Sequence, residues 1–179
     1  MRFFITFIFI TNILFSFEYT NDVFKKEKAT ILKVVDGDTV KVVMNKKVYK
    51  VRFAYVDTME TKRNRKAKKD FKNTKDSVDI KEIIEYGYKA KAFLKKELPS
   101  YSIVVLYINK NKPKDSFGRI LAVIKKEKNN TVINEVLLAL GLARTYYIHE
   151  APEDVKEYYL EIEKMAKNEN RGIWKFLKK

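Results

Sequence analysis

The chain has 179 residues, 46% hydrophobic and 13% aromatic, which is enough for one packed domain and too apolar for a disordered tail. Lysine and arginine outnumber aspartate and glutamate by 38 to 23, for a net charge of +15, so a polyanionic partner is expected: nucleic acid first, an anionic membrane surface second. The absence of cysteine excludes disulfides, thiol nucleophiles and Cys-ligated zinc, and a single histidine argues against a histidine-built zinc site.

Met1-Arg2 precedes an uncharged run from Phe3 to Phe17 that is rich in Phe and Ile. A basic start before a short apolar core reads as a secretory signal peptide over residues 1–17, and the run is short for a membrane span. Leu14, two places before the small Ser16, is a poor cleavage partner, so an uncleaved anchor is the alternative. Both readings place the domain outside the cytoplasm: periplasmic or secreted if cleaved, membrane-tethered if not. Residues 18–28 are polar and predict a linker, leaving 29–176 as the folded domain.

Ile31 to Val35, Thr39 to Met44 and Val48 to Val56 are apolar, β-branched runs that predict three strands. Around them lie four carboxylates within twenty-five residues: Asp36, Asp38, Asp57 and Glu60. Half-buried carboxylates this close repel one another unless a cation holds them together. Hard oxygens on a turn suit Ca²⁺, and Mg²⁺ less well. Asp36-Gly37-Asp38 also reads simply as a hairpin turn. Arg52 interrupts the third apolar run, and its desolvation needs an anion to offset it. A salt bridge to Asp36, Asp38 or Glu60 meets that need. So does a phosphate, which the guanidinium fork is shaped to hold.

Thr61 to Lys75 carries eight basic residues, among them Lys62, Arg63 and Arg65, against one acid, Asp70. It lacks a hydrophobic period and predicts a mobile loop hanging beside Glu60, where it would grip a nucleic-acid backbone. Gly87 to Leu98 has helical spacing and stops at Pro99. Tyr101 to Ile108 and Ile120 to Lys125 read as strands, with Arg119 repeating the Arg52 pattern at a strand edge. Asn134 to Leu140 predicts a short helix with Asn134 as N-cap and Gly141 as C-cap. Leu142 to Ile148 reads as extended, and Tyr146, Tyr147 and His149 at its end form either ordinary packing or a base-stacking platform. A last helix spans about Glu153 to Asn168, with Val155, Tyr159, Ile162 and Met165 on its apolar face, and Trp174 docks the end of the chain.

Taken together, Val35-Asp36-Gly37-Asp38-Thr39, Arg52, Val56-Asp57-Thr58-Met59-Glu60-Thr61, Tyr86-Gly87, Asp115-Ser116-Phe117-Gly118-Arg119, Asn134, Gly141-Leu142-Ala143 and Ile173-Trp174 form a pattern that resembles the staphylococcal nuclease family. The resemblance covers Ala29 to about Trp174. It implies an α+β fold, a five-stranded OB-type β-barrel with about three helices. It implies a Ca²⁺-dependent phosphodiesterase acting on DNA and RNA and leaving 3′-phosphate ends, with no obligate protein partner, as a monomer. By the same resemblance Asp38, Asp57 and the Thr58 carbonyl become calcium ligands and Asp36 a neighbour that supports them. Glu60 becomes the general base or the residue that orients the attacking water. Arg52 and Arg119 become clamps on the scissile phosphate, and Tyr147 lies near the bound nucleotide.

Three positions depart from the family pattern. Met59 stands where proline is usual, which would loosen the turn presenting Glu60. Phe117 and His149 replace tyrosines of the nucleotide pocket, predicting altered end preference or affinity with the chemistry kept. The competing readings are a non-catalytic OB-fold binder of nucleic acid and a membrane-surface adaptor.

Overall fold

The computed structural model describes residues 17–75 and 78–177. The segment read as a signal peptide therefore lies outside the described residues, apart from Phe17. Five strands close a barrel in the order β1-β2-β3-β6-β5, where β1 is Phe24–Asp36, β2 Thr39–Met44, β3 Lys47–Phe53, β5 Ile103–Asn109 and β6 Ile120–Lys126. Neighbours run antiparallel except β3 and β6, which are parallel. Alternation fills the interior: Ile31, Val40, Val42, Val51, Phe53, Val104, Leu106 and Ile124 are all fully buried. The expected OB-type α+β architecture is the observed one.

Four boundaries differ from the sequence reading. Phe24 to Lys28, expected in a linker, belong to β1 and pair with β5. The long third strand breaks at Ala54-Tyr55. Tyr55 adopts φ of 64°, and this left-handed turn sends Val56–Thr58 off as β4, paired with β7 (Ala143–Thr145) outside the barrel. The basic block is not a loop. It forms helix α1, Arg65–Lys72, because Asn64 caps its N-terminus through the Ala67 N–H and because buried Ala67 and Asp70 dock one face. That makes four α-helices where about three were expected. Helix α2 starts earlier than its apolar spacing indicated, at Ile80, with Asp79 accepting from the Lys81 N–H, and runs to Glu97.

Helices α3 (Ile133–Ala139) and α4 (Glu153–Asn168) pack together against the barrel, followed by a 3₁₀ turn at Gly172–Lys175. Asn134 is not the α3 cap. It is fully buried inside the helix, where its amide oxygen accepts from the Ile124 N–H and its amide NH₂ donates to the Ala54 carbonyl. It thereby ties α3 to the strand break that releases β4. A second apolar cluster, including Met59, Ile83, Ala166, Ile173 and Trp174, takes in the residue that follows β4. Met59 is 1% exposed, so packing holds the turn that a proline would have stiffened. Gly87 completes this support: a Cβ there would lie 2.4 Å from the Glu60 carbonyl oxygen, so only glycine lets α2 pass beneath Glu60.

Tyr19 and Phe17 dock the start of the described chain onto α3 and α4. The Tyr19 hydroxyl donates to Glu135 at 2.8 Å and shares a second contact with the Tyr159 hydroxyl. Burial pushes the Glu135 carboxyl up to about 7, against the hydrogen bonds from Tyr19 and Tyr158. The unfolded chain ionises this group near its ordinary value of 4.5 while the folded protein keeps it protonated. Its contribution to stability therefore falls as pH rises from about 4.5 to about 7, then levels off. Urea titrations across that window should show this decline, and Glu135→Gln should flatten it; an unchanged slope in the variant would assign the decline to other groups.

Candidate active site

Asp57 on β4 is 2% exposed and is the centre of the site. One oxygen accepts from the Arg52 guanidinium at 2.7 Å and from the Lys66 ammonium at 2.8 Å. Its other oxygen accepts from Arg144 at 2.9 Å. Burial opposes its charge, yet Lys66, Arg52 and Arg144 together hold its carboxyl below the usual range. Asp38 follows the β1–β2 turn and is also buried. Its Oδ2 takes the other arm of Arg52 at 2.7 Å and the Thr58 hydroxyl at 3.2 Å, and Thr39 donates to its Oδ1. Burial raises the Asp38 carboxyl, opposed by Arg52 and reinforced by the charge of Asp57. Arg52 thus makes the salt bridge foreseen for Asp38, and it spans to Asp57 as well.

The start of α1 grips Glu60. Asn64 donates to one carboxylate oxygen at 2.6 Å, and Lys66 donates to the other at 2.9 Å. Lys66 also donates to the Thr58 carbonyl at 3.0 Å. Farther along α1, the buried Asp70 accepts from Arg144 at 2.8 Å, so Arg144 bolts the helix to Asp57. Arg119 comes from the loop before β6. Asp115 aims it, accepting from its Nε at 2.6 Å and from its backbone N–H. Burial works against the Asp115 charge, but these bonds hold its carboxyl below the usual range.

An open cleft of about 180 Å³ joins Asp36, Asp38, Arg52, Thr58, Glu60 and Arg119. Asp36 accepts from the Gly37 N–H and the Thr61 hydroxyl at its edge. The cleft thus brings together Asp36, Asp38, Glu60, both arginines singled out in the sequence and Thr58, while Asp57 lies behind its lining and joins through its ion pair with Arg52. The cleft does not gather the rest. Lys62, Arg63 and Arg65 are exposed on the approach to α1 and its first turn. Tyr147 packs against Tyr55 with its hydroxyl on the Lys156 carbonyl, Tyr146 is exposed, and His149 bonds the Lys114 carbonyl beside a separate small pocket. Phe117 is 84% exposed, with the Arg119 guanidinium 5.5 Å from its ring.

Sequence reasoning missed Lys66, Arg144, Asn64 and Asp70. Arg144 carried the same signal as Arg52, an arginine after an apolar segment. Asp70 was the lone acid of a basic block. Nothing distinguished Lys66 from its seven basic neighbours.

Acids and guanidinium groups that face one cleft beside a closed five-stranded barrel make a site suited to an anionic group. Residues 50–176 match the pattern described as "Staphylococcal nuclease homologue". The chain is 39% identical over 147 residues to an uncharacterised protein of Methanocaldococcus jannaschii, covering 80% of this chain and 70% of the relative. It is 32% identical over 145 residues to the SPbeta prophage-derived endonuclease YokF of Bacillus subtilis, covering 81% of this chain and 43% of that protein, less than half its length. The thermonuclease of Staphylococcus hyicus is 28% identical over 144 residues, with coverage of 80% and 73%. The chain belongs to the staphylococcal nuclease family, and its class is that of the nuclease hydrolases.

Removing Arg144 would leave the buried carboxylates of Asp57 and Asp70 short of a partner; Asp70 already has one buried oxygen with none. Arg144→Met should cost about 3 kcal/mol of stability in urea denaturation. It should also speed amide exchange in α1. A loss below about 0.5 kcal/mol, the scale of an exposed pair, would contradict this account of the bolt.

Proposed function

We propose that this protein is an exported, calcium-dependent nuclease that hydrolyses phosphodiester bonds of DNA and RNA and leaves 3′-phosphate ends. The observation that carries the reading is the convergence of Glu60, Arg52 and Arg119 on the cleft that Asp38 and Thr58 also line. A phosphodiester is anionic and repels an incoming hydroxide. Arg119, aimed by Asp115, and Arg52 offset that charge and the further charge of a five-coordinate transition state. Glu60 takes a proton from water or orients it, and Asn64 fixes the carboxylate's direction. Water attack needs no 2′-hydroxyl, so DNA and RNA both serve. Export rests on the basic start and apolar run of residues 1–17.

The residues present fit a calcium ion. The Lys66 ammonium is a stand-in cation, at 2.8 Å from Asp57 Oδ1 and 3.0 Å from the Thr58 carbonyl, so these two hard oxygens already converge on one positive charge. Asp57, Thr58 and Asp38 would hold the ion, which when bound lowers the pKa of its water and offsets phosphate charge. Lys66 must then yield its place on Asp57. The neighbouring cations make this site costly to fill, so affinity depends on how readily α1 releases that side chain.

Digestion of DNA in a gel, with and without a calcium chelator, tests the function. Clearing that the chelator abolishes is expected; binding of DNA without clearing under any condition would favour the non-catalytic binder. Glu60→Gln and Arg119→Ala should each lower kcat/KM by roughly 10² or more with the fold intact by circular dichroism. A Glu60→Gln variant as active as wild type removes Glu60 from the mechanism. Lys66→Met should tighten calcium binding in calorimetry by about tenfold, about 1.4 kcal/mol. Weaker binding in the variant would show that Lys66 supports the seat instead of competing for it.

A further inference from the structure

Three lysines line up across the outer face of the barrel. Lys33 on β1 stands opposite Lys41 on β2, and Lys41 stands opposite Lys50 on β3. Like charges directly opposite one another destabilise a sheet. None of the three has an ion-pair partner among the described residues, although other lysines of the chain do.

A β-bulge creates the row. Ile31 pairs with Val42, and both point inward and are fully buried. In a regular ladder Lys33 would follow Ile31 to the inner face, opposite Val40. The register shift after Ile31 sets it opposite Lys41 instead, on the outside. The fold thus re-aims one lysine to complete an unneutralised line.

The line leads to the cleft. Thr39 and Arg52 pair two residues farther along β2 and β3, on the face that carries Lys41 and Lys50. Across the row the backbones lie about 4.8 Å apart, and Lys50 and Arg52, alternate residues of β3, lie about 6.7 Å apart along the strand. Lys50 itself lines the cleft with Arg52 and Arg119.

We propose that Lys33, Lys41 and Lys50 form a track for the sugar–phosphate backbone, holding the phosphates next to the one in the cleft. This deepens the nuclease reading and rests on it for the direction of the strand. The track reads charge, not base identity, so it confers preference for length over sequence. Removal of three phosphate contacts lowers the salt dependence of single-strand binding by about 2 in the slope of log K against log salt.

The test uses a fluorescent 12-nucleotide single strand of DNA, bound in the presence of chelator so that hydrolysis does not intervene. Lys33→Gln/Lys41→Gln/Lys50→Gln should weaken binding at least tenfold at 0.1 M salt and reduce the slope by about 2. Replacing exposed Lys128 and Lys164 by Gln should reduce it far less per charge removed. With the metal restored, the ratio of kcat/KM for the 12-mer to that for a dinucleotide should fall at least tenfold. If the triple variant does not fold, the three single variants should each reduce the slope by about 0.7. A slope reduction per charge equal to the Lys128/Lys164 control, or an unchanged length ratio, overturns the track and leaves a solvated face. A protein that cleaves nothing but still loses the slope keeps the track and loses the nuclease reading.

Discussion

The Asp57 carboxylate is the constraint on which the site depends. It is buried, it is charged, and it is surrounded by three cationic side chains from three different parts of the chain. A buried carboxylate is tolerated only with such partners, and each partner is fixed in place by what it pairs with. Arg52 brings in Asp38 and hence the β1–β2 turn. Arg144 brings in β7 and, through Asp70, helix α1. Lys66 brings in Glu60. One desolvated charge therefore registers barrel, outer ribbon and inserted helix against one another, as apolar packing alone would not.

The backbone serves the same end. The left-handed Tyr55 breaks the third strand and carries Asp57 and Thr58 out of the barrel wall, over the turn that holds Asp38. Asn134 ties down the carbonyl just before that break. Met59 is buried in the second apolar cluster, so Glu60, the next residue, is presented on a packed support. Helix α1 then closes over the top. The site is thus held from below by apolar contact and from above by ion pairs.

Much of this was legible in the sequence, and the reasons are physical. Barrel strands advertise themselves because β-branched residues alternate or run together when one or both faces are buried, and the β1–β2 turn needs its Asp-Gly. Arg52 and Arg119 stood out because a guanidinium in an apolar run must have an anion. The break after Phe53 was hidden: Ala54-Tyr55-Val56 is as apolar as a continuous strand, and only tertiary contacts impose the turn. Helix α1 was hidden by its own charge, since its stability comes from one cap, one buried alanine and one buried aspartate instead of an apolar stripe. The aromatic residues at 146–149 illustrate the reverse case. Their composition fits packing and a stacking surface alike; Tyr147 packs against Tyr55, His149 bonds a backbone carbonyl and Tyr146 is exposed.

The proposed calcium seat is built on Asp57 and the Thr58 carbonyl, which Lys66 holds in this structure, with Asp38 beside them. The most direct measurement is anomalous difference density from a crystal soaked in a lanthanide as a calcium substitute. The account predicts a single strong peak within bonding distance of Asp57 and the Thr58 carbonyl, with the Lys66 ammonium moved away. Lys66 still seated on Asp57 and Glu60, with the lanthanide bound elsewhere or nowhere, would contradict it.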